Sequence, residues 1–189
     1  MRTSKLAGCI LAALSLVACL TLARSTQAQT DAWSDGKAAL LTDINIKRLS
    51  SLKAAVAVPT WLPDGYKLKK LAIQPPEADI VAFSIVYATA TGKTFTIESN
   101  NEALGDMEVK REVKFSNTLF KDTAQEVSDF HAGHDAHDAK TIATEWLCSV
   151  TQYQPKGSTA QCFQLLSNSK SMTPNQAMQI MNSLRYLKR

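Results

Sequence analysis

The stretch VPTWLPDGYKL, residues 58–68, divides the chain into a helical part before it and a strand-rich part after it. Pro59 and Pro63 block helix, because each removes a backbone N–H and fixes φ. Asp64-Gly65 is a turn signal, since glycine takes the positive φ that such turns often require. Upstream, Asp31 to Leu52 reads as one or two helices: Leu40, Leu41 and Ile44 repeat at helical spacing and Ser34 is placed to cap the start.

Downstream the apolar period falls to two. Lys67–Gln74 reads as a strand, and Ile80–Ala88 as another, with Val81, Phe83, Ile85 and Tyr87 on one face. Lys93–Ser99 follows a Thr91-Gly92 turn and points Phe95 and Ile97 inward. In Val109–Phe115, Val109, Val113 and Phe115 share a face opposite Lys110, Glu112 and Lys114. Half-polar strands of this kind suit an antiparallel sheet with one covered face.

A last hairpin pairs Thr144–Val150 with Ala160–Leu166 around Gln154-Pro155-Lys156-Gly157. A turn centred on Pro155 sets Cys148 opposite Cys162, Leu147 opposite Phe163 and Trp146 opposite Gln164. A cross-strand disulfide follows from that register, and closing its loop stabilises the fold by about 3 kcal/mol. At the C-terminus, Thr173, Pro174 and Gln176 spell a capped helix start with a capping box. Ala177, Ile180, Met181, Leu184 and Leu187 make its apolar stripe, and Arg185, Lys188 and Arg189 its basic end. Met181 lies on that stripe, so packing rather than copper ligation accounts for Met172, Met178 and Met181. The expected fold is α+β: an antiparallel β-sheet packed against an N-terminal and a C-terminal helix.

The N-terminus reads as an export leader. Arg2 and Lys5 precede an uncharged run from Leu6 to Ala18. Thr26-Gln27-Ala28 offers small residues for ordinary cleavage after residue 28. Leu16-Val17-Ala18-Cys19 instead resembles a lipobox, with Cys19 lipidated after an 18-residue leader. The apolar Leu20, Leu22 and Ala23 are unlike the polar tether that follows a lipidated cysteine, which tips the reading towards Ala28. The expected organisation is then a signal at 1–28 (or 1–18), a helical segment at 29–54 and a single α+β domain at 55–189. Removing Arg2, Lys5 and Arg24 lowers Lys+Arg from 21 to 18 against 17 acids, so the net charge drops from +4 to +1. No basic field for nucleic acid remains. Membrane attachment is expected only through a lipidated Cys19. Cys148 and Cys162 remain after the leader, an even pair suited to an oxidising compartment.

All three histidines fall in HAGHDAHDAK, residues 131–140. The stretch is expected to be an exposed, solvated turn leading into the late strands, since Gly133 weakens a helix there. On a helix, or wrapped by a loop, His131, His134 and His137 with Asp135 can instead surround zinc or copper. On a strand, odd spacing puts His134 on the face opposite His131 and His137. No Gly-x-Ser-x-Gly elbow and no Cys-x-x-Cys motif is present, and no catalytic residue emerges. Trp33, Trp61 and Tyr66 can line a groove or cover a sheet edge, and packing is the commoner role for such aromatics.

Pro59-x-x-Leu62-Pro63-x-Gly65-Tyr66 resembles the signature of a bacterial envelope family of unknown function, also found on anti-sigma-factor-like proteins. Tyr87, Gly92, Trp146 and Ser183-Leu184 match its later landmarks, and the similarity covers residues 55–186. That family brings no catalytic residues to carry over. It often has a G-x-x-A step into a strand, which Gly133-His134-Asp135-Ala136 resembles. A looser likeness in architecture points to periplasmic lipoprotein-carrier and sigma-regulator domains. The expectation is an exported, non-enzymatic envelope binding or accessory protein, taking an apolar ligand or a protein partner in a sheet–helix cleft. The alternative is a periplasmic metal-binding protein using the 131–138 His/Asp cluster.

Overall fold

In the computed structural model, the described residues are 32–74, 80–102, 108–120, 130–149 and 154–188; the expected leader, Cys19, Arg189 and the segment after Cys148-Ser149 lie outside them. Residues Met1–Trp33 and Ser34–Arg189 form separate units, and the fold described here is that of the second. The short strand β1 (Trp33–Ser34) ends in that unit, where the Ser34 carbonyl accepts from Lys188 N–H at 2.8 Å.

Before the Pro59–Pro63 corner there is one helix, α1 (Asp43–Ser50), rather than a helical segment spanning 29–54. Thr42, not Ser34, caps it: its hydroxyl accepts from Asn45 N–H, while Ser34 Oγ accepts from Gly36 N–H in a preceding turn. Starting at Asp43 rotates the expected stripe outward. Ile44 is 72% exposed and Leu40 sits in a turn at φ 56, while Leu49 is the buried anchor.

Beyond the corner run β2 (Ala57–Pro59), β3 (Lys67–Ile73), β4 (Ala82–Ala88), β5 (Thr94–Asn100) and β6 (Val113–Phe115). Then come β7 (Phe130–His134), β8 (Thr141–Thr144), β9 (Leu147–Cys148), β10 (Cys162–Asn168), α2 (Pro174–Asn182) and β11 (Leu184–Leu187). The protein is therefore α+β. The main sheet has eight strands in the order β3-β4-β5-β10-β8-β7-β6, with β9 also on β10. Its named ladders are all antiparallel. The period-two reading holds in β4 and β5: Phe83, Ile85, Tyr87, Phe95 and Ile97 are buried, and Tyr87 stacks on Phe95 with centroids 4.9 Å apart. In β3 a register shift between Leu68 and Lys70 breaks the alternation, and Leu71, Ala72 and Ile73 are all half-buried.

The hairpin register is the expected one at its start, with Cys162 opposite Cys148 and Phe163 opposite Leu147. Cys148 and Cys162 form the disulfide, with Cα atoms 3.8 Å apart. The strand does not continue back to Thr144 in that register. Leu166 pairs with Ala143, so Thr144–Trp146 oppose only Gln164 and Leu165, and the Trp146–Gln164 pair does not form. The extra residue makes a bulge. Thr144 fills it, its hydroxyl accepting from Leu165 N–H (3.0 Å) and its carbonyl from the Gln164 side chain (2.9 Å).

Val109–Phe115 is also broken. Only Val113–Phe115 forms a strand, while Val109 makes a lone bridge to Asp135 and Glu112 N–H turns back to Lys110 O at 2.9 Å. The detour lays the Lys110 carbonyl on Gly133, where a Cβ would stand 1.7 Å from the oxygen.

The C-terminal capping box is present as read, with Thr173 and Gln176 bonding reciprocally and Pro174 in the first turn. Ala177, Ile180 and Met181 pack against β6, β7, β8 and β10. The helix stops at Asn182, so Leu184 and Leu187 belong to strand β11 and not to the helical stripe. Arg185 Nη1 still reaches the helix end, donating to Asn182 O at 3.0 Å. Strand wins here because Leu184, Arg185 and Tyr186 pair with Pro59, Val58 and Ala57 of β2, which buries Tyr186 completely.

Three stability outcomes follow from these contacts. Gly133→Ala drives a methyl into the Lys110 carbonyl and is expected to cost on the order of 3 kcal/mol or more in urea denaturation. Gly92→Ala, with open space but φ 84, should cost only about 1 kcal/mol by the same measurement. Replacing Cys148 and Cys162 by alanine should lower stability by about 3 kcal/mol. The oxidised wild type should show neither thiol to a titrant when unfolded.

Candidate functional site

The structure places His131 and His134 on β7 and His137 in the turn that follows. Each ring faces a different glutamate. His131 Nδ1 lies 3.2 Å from Glu145 Oε2, which also accepts from the His131 backbone N–H at 3.0 Å. His134 Nδ1 lies 2.5 Å from Glu112 Oε1, which again takes the backbone N–H, at 3.2 Å. His137 Nε2 lies 3.5 Å from Glu108 on the open surface. Asp135 is engaged in the turn, its Oδ1 accepting from His137 N–H (2.7 Å) and Asp138 N–H (3.1 Å). Strand geometry thus sends His131 and His134 to opposite faces. Among the described residues no three His, Cys, Asp or Glu side chains gather as a metal set. Gly133-His134-Asp135-Ala136 lies at the end of β7 rather than leading into a strand.

The hydrogen bond from His134 holds the Glu112 carboxyl below its ordinary range, with burial opposing and further help from the His134 N–H and the charges of His134 and Lys110. The buried tyrosines are structural. Burial pushes the Tyr87 phenol up, and its OH donates to Ala39 O at 2.9 Å. Tyr186 rises to about 12 through burial, against a hydrogen bond with Ser149. Tyr66 is raised by burial too, and its OH donates to Ser171 O at 2.7 Å.

The concave surface lies elsewhere, around Trp61. The corner residues build it: Pro59 ends β2, Pro63 and Tyr66 are buried, Leu62 is half-buried and Gly65 turns the chain at φ 81. Tyr66 packs edge-on to Phe95, with centroids 5.0 Å apart, whereas Trp61 remains 41% exposed. The backbone beneath the indole is clamped to the end of α2. Thr60 N–H and Oγ1 both donate to Ser183 O (3.1 and 2.8 Å), and Trp61 N–H donates to Ser183 Oγ at 3.2 Å. Asn117 braces the same helix end, its Nδ2 within 2.9 and 3.1 Å of Met181 O and Asn182 O.

Two grooves open on either side of Trp61. One, of about 550 Å³, is lined by Ser116, Asn117, Gln179, Asn182, Ser183 and Arg185. The other, of about 690 Å³, runs past Asp64, Tyr66, Thr89, Thr91, Lys93 and Gln176. Trp61 and Gln179 are common to both. Among the described residues, no Leu, Ile, Val, Met or Phe lines either one. Hydroxyls and amides on an aromatic floor can orient a polar ligand; they offer little to an acyl chain.

No family model matches the chain, and no curated protein matches it.

Sequence reasoning named Trp61 and Tyr66 but did not single out Asn117, Gln179 or Asn182 as site residues. The polar positions of the capped helix, at Gln176 and Gln179, were the available signal. Asn117 had none, because its role depends on a helix 64 residues further along.

The Glu112–His134 contact gives a pH signature. The folded carboxyl pKa lies below its unfolded value, so the stabilisation is present above the unfolded pKa and lost as pH falls through the folded one. Glu112→Gln should therefore be less stable than wild type at neutral pH, and the gap should close in strong acid. Parallel urea titrations check this; a gap that persists in acid contradicts the assignment.

Proposed function

We propose that the chain is an exported, non-enzymatic binding or accessory protein of the bacterial envelope, with the paired grooves around Trp61 as its contact surface. The observation that carries the reading is a Trp side chain left 41% exposed on a backbone held by hydrogen bonds to Ser183. An exposed, fixed aromatic between two concavities is the usual anchor of a contact site. The leader-like N-terminus supports export to the periplasm, and the Cys148–Cys162 disulfide is compatible with an oxidising compartment. The resemblance to envelope proteins rests on Pro59, Leu62, Pro63, Gly65 and Tyr66, the residues that shape this corner.

Between an apolar ligand and a polar one, the groove lining favours the polar. Ala177, Ile180 and Met181 are buried beneath α2, and among the described residues no aliphatic side chain of Leu, Ile, Val or Met lines the grooves beside it, which supports a polar ligand over an acyl chain. The metal alternative, zinc or copper held by His131, His134, His137 and Asp135, has no common centre among the described residues to support it.

A photo-crosslinking amino acid at Gln179, in the groove, should yield adducts in the bacterium that makes the protein. The same group at Leu40, exposed on a turn away from the grooves, should not. Equal labelling at both positions, or none at Gln179, would overturn the reading.

A further inference from the structure

The geometry points to a glycan as the occupant: we infer that the two grooves form one open cleft in which a pyranose ring of an oligosaccharide stacks on Trp61. This deepens the binding reading above and rests on it. A pyranose ring has an apolar C–H face and a rim of hydroxyls that each donate and accept. The cleft offers the matching pair of surfaces. Trp61 supplies a flat apolar platform, 41% exposed, and its backbone is fixed from below by Ser183. Gln179 and Asn182 line the cleft beside it, and among the described residues their side-chain amides make no hydrogen bond within the protein. Each therefore presents a donor and an acceptor together, as adjacent ring hydroxyls require. Thr89, Thr91 and Gln176 continue the same neutral chemistry on the far side of the indole.

Competing occupants fit less well. A lipid chain or an amphipathic helix needs aliphatic walls, and among the described residues the lining includes no Leu, Ile, Val, Met or Phe. Nucleic-acid bases also stack on tryptophan, but their phosphates need cations. Among the described residues the cleft holds two, Arg185 and Lys93, against Asp64, and Arg185 Nη1 already donates to Asn182 O and Leu184 O. Both grooves are open and meet at Trp61, so a chain of sugars can cross the indole without being threaded by an end.

The test titrates the oxidised protein with chitotetraose, cellotetraose and maltotetraose, followed by calorimetry and by amide chemical shifts. These arms separate N-acetylated from plain β-linked glycans, and both from α-linked ones. Saturable binding by at least one is expected. Trp61→Ala should weaken it about tenfold or more, and Trp61→Phe by less, because a ring remains. The double change Gln179→Ala with Asn182→Ala should weaken it without altering thermal unfolding. Trp61 is 41% exposed, so the unfolding midpoint is measured alongside, and an unchanged midpoint in Trp61→Ala will show that the loss is of contact and not of fold. Absence of binding by all three sugars, or equal binding by Trp61→Ala, overturns the inference. If the sugars fail while crosslinks at Gln179 capture a polypeptide, the glycan assignment is wrong and the binding reading stands. If both fail, both are wrong.

Discussion

Strand β10 is paired along both edges, and the architecture depends on that. On one side it carries β5 from Cys162 to Ser167; on the other it carries β9 at Cys162–Phe163 and β8 at Leu166–Asn168. Without it, β3–β5 and β6–β8 would be two separate meanders, each with an open edge. Its first five residues, Cys162–Leu166, are buried or nearly so on both faces, as a central strand under two covers requires. That burial includes Gln164, which is satisfied through Thr144 O, so the bulge at Thr144–Trp146 is what allows a polar side chain at the sheet centre. The disulfide then fixes the register at the end where β9 is only two residues long.

From this sheet the helix and the corner take their places. Helix α2 lies over β6, β7, β8 and β10, and its end therefore sits at a fixed height above them. Ser183 and Asn117 convert that height into a position for Trp61: Ser183 holds the Thr60–Trp61 backbone, while Asn117 holds the carbonyls of the last helical turn. The indole's surroundings come from three distant parts of the chain, the Pro59–Tyr66 corner, the stretch after β6, and the helix with β11. Order of this kind would lower the entropic cost of any association at this surface.

The sequence made some of this legible and hid the rest for identifiable reasons. Cys148 and Cys162 were readable because a hairpin register is local, set by a turn a few residues away. The capping box at Thr173–Gln176 was readable because it is a contact between near neighbours. Leu184 and Leu187 were misassigned because a three-residue spacing continues a helix stripe as readily as it fits a short buried strand. The choice was made by β2, 125 residues earlier at Leu184–Pro59. Gly133 looked like a weak point in a helix, and its actual reason, the Lys110 carbonyl against its Cα, is a tertiary contact that no spacing encodes. For the histidines the expected exposed turn holds only at His137; pairing with β6 and β8 draws His131 and His134 into strand β7, which sends them to separate glutamates.

Those glutamate pairs also explain why the grooves, and not the histidines, carry the functional reading. The main sheet ends in β3 on one side and β6 on the other. The β3 edge exposes Lys67, Lys69 and Lys70, and the β6 side is flanked by Lys110, Arg111, Glu112 and Lys114, with His131 and His134 paired to carboxylates beside it. Charges along an open strand edge discourage pairing with another chain, because a second strand would have to desolvate them. Both edges thus carry residues that keep partners off. The surface around Trp61 differs: hydroxyls and amides, with Arg185, Lys93 and Asp64 among them, lie beside a part-exposed aromatic ring, where contact buries apolar area. Charged strand edges beside a part-exposed tryptophan on a clamped backbone are the contrast on which the proposal of a contact surface at Trp61 rests.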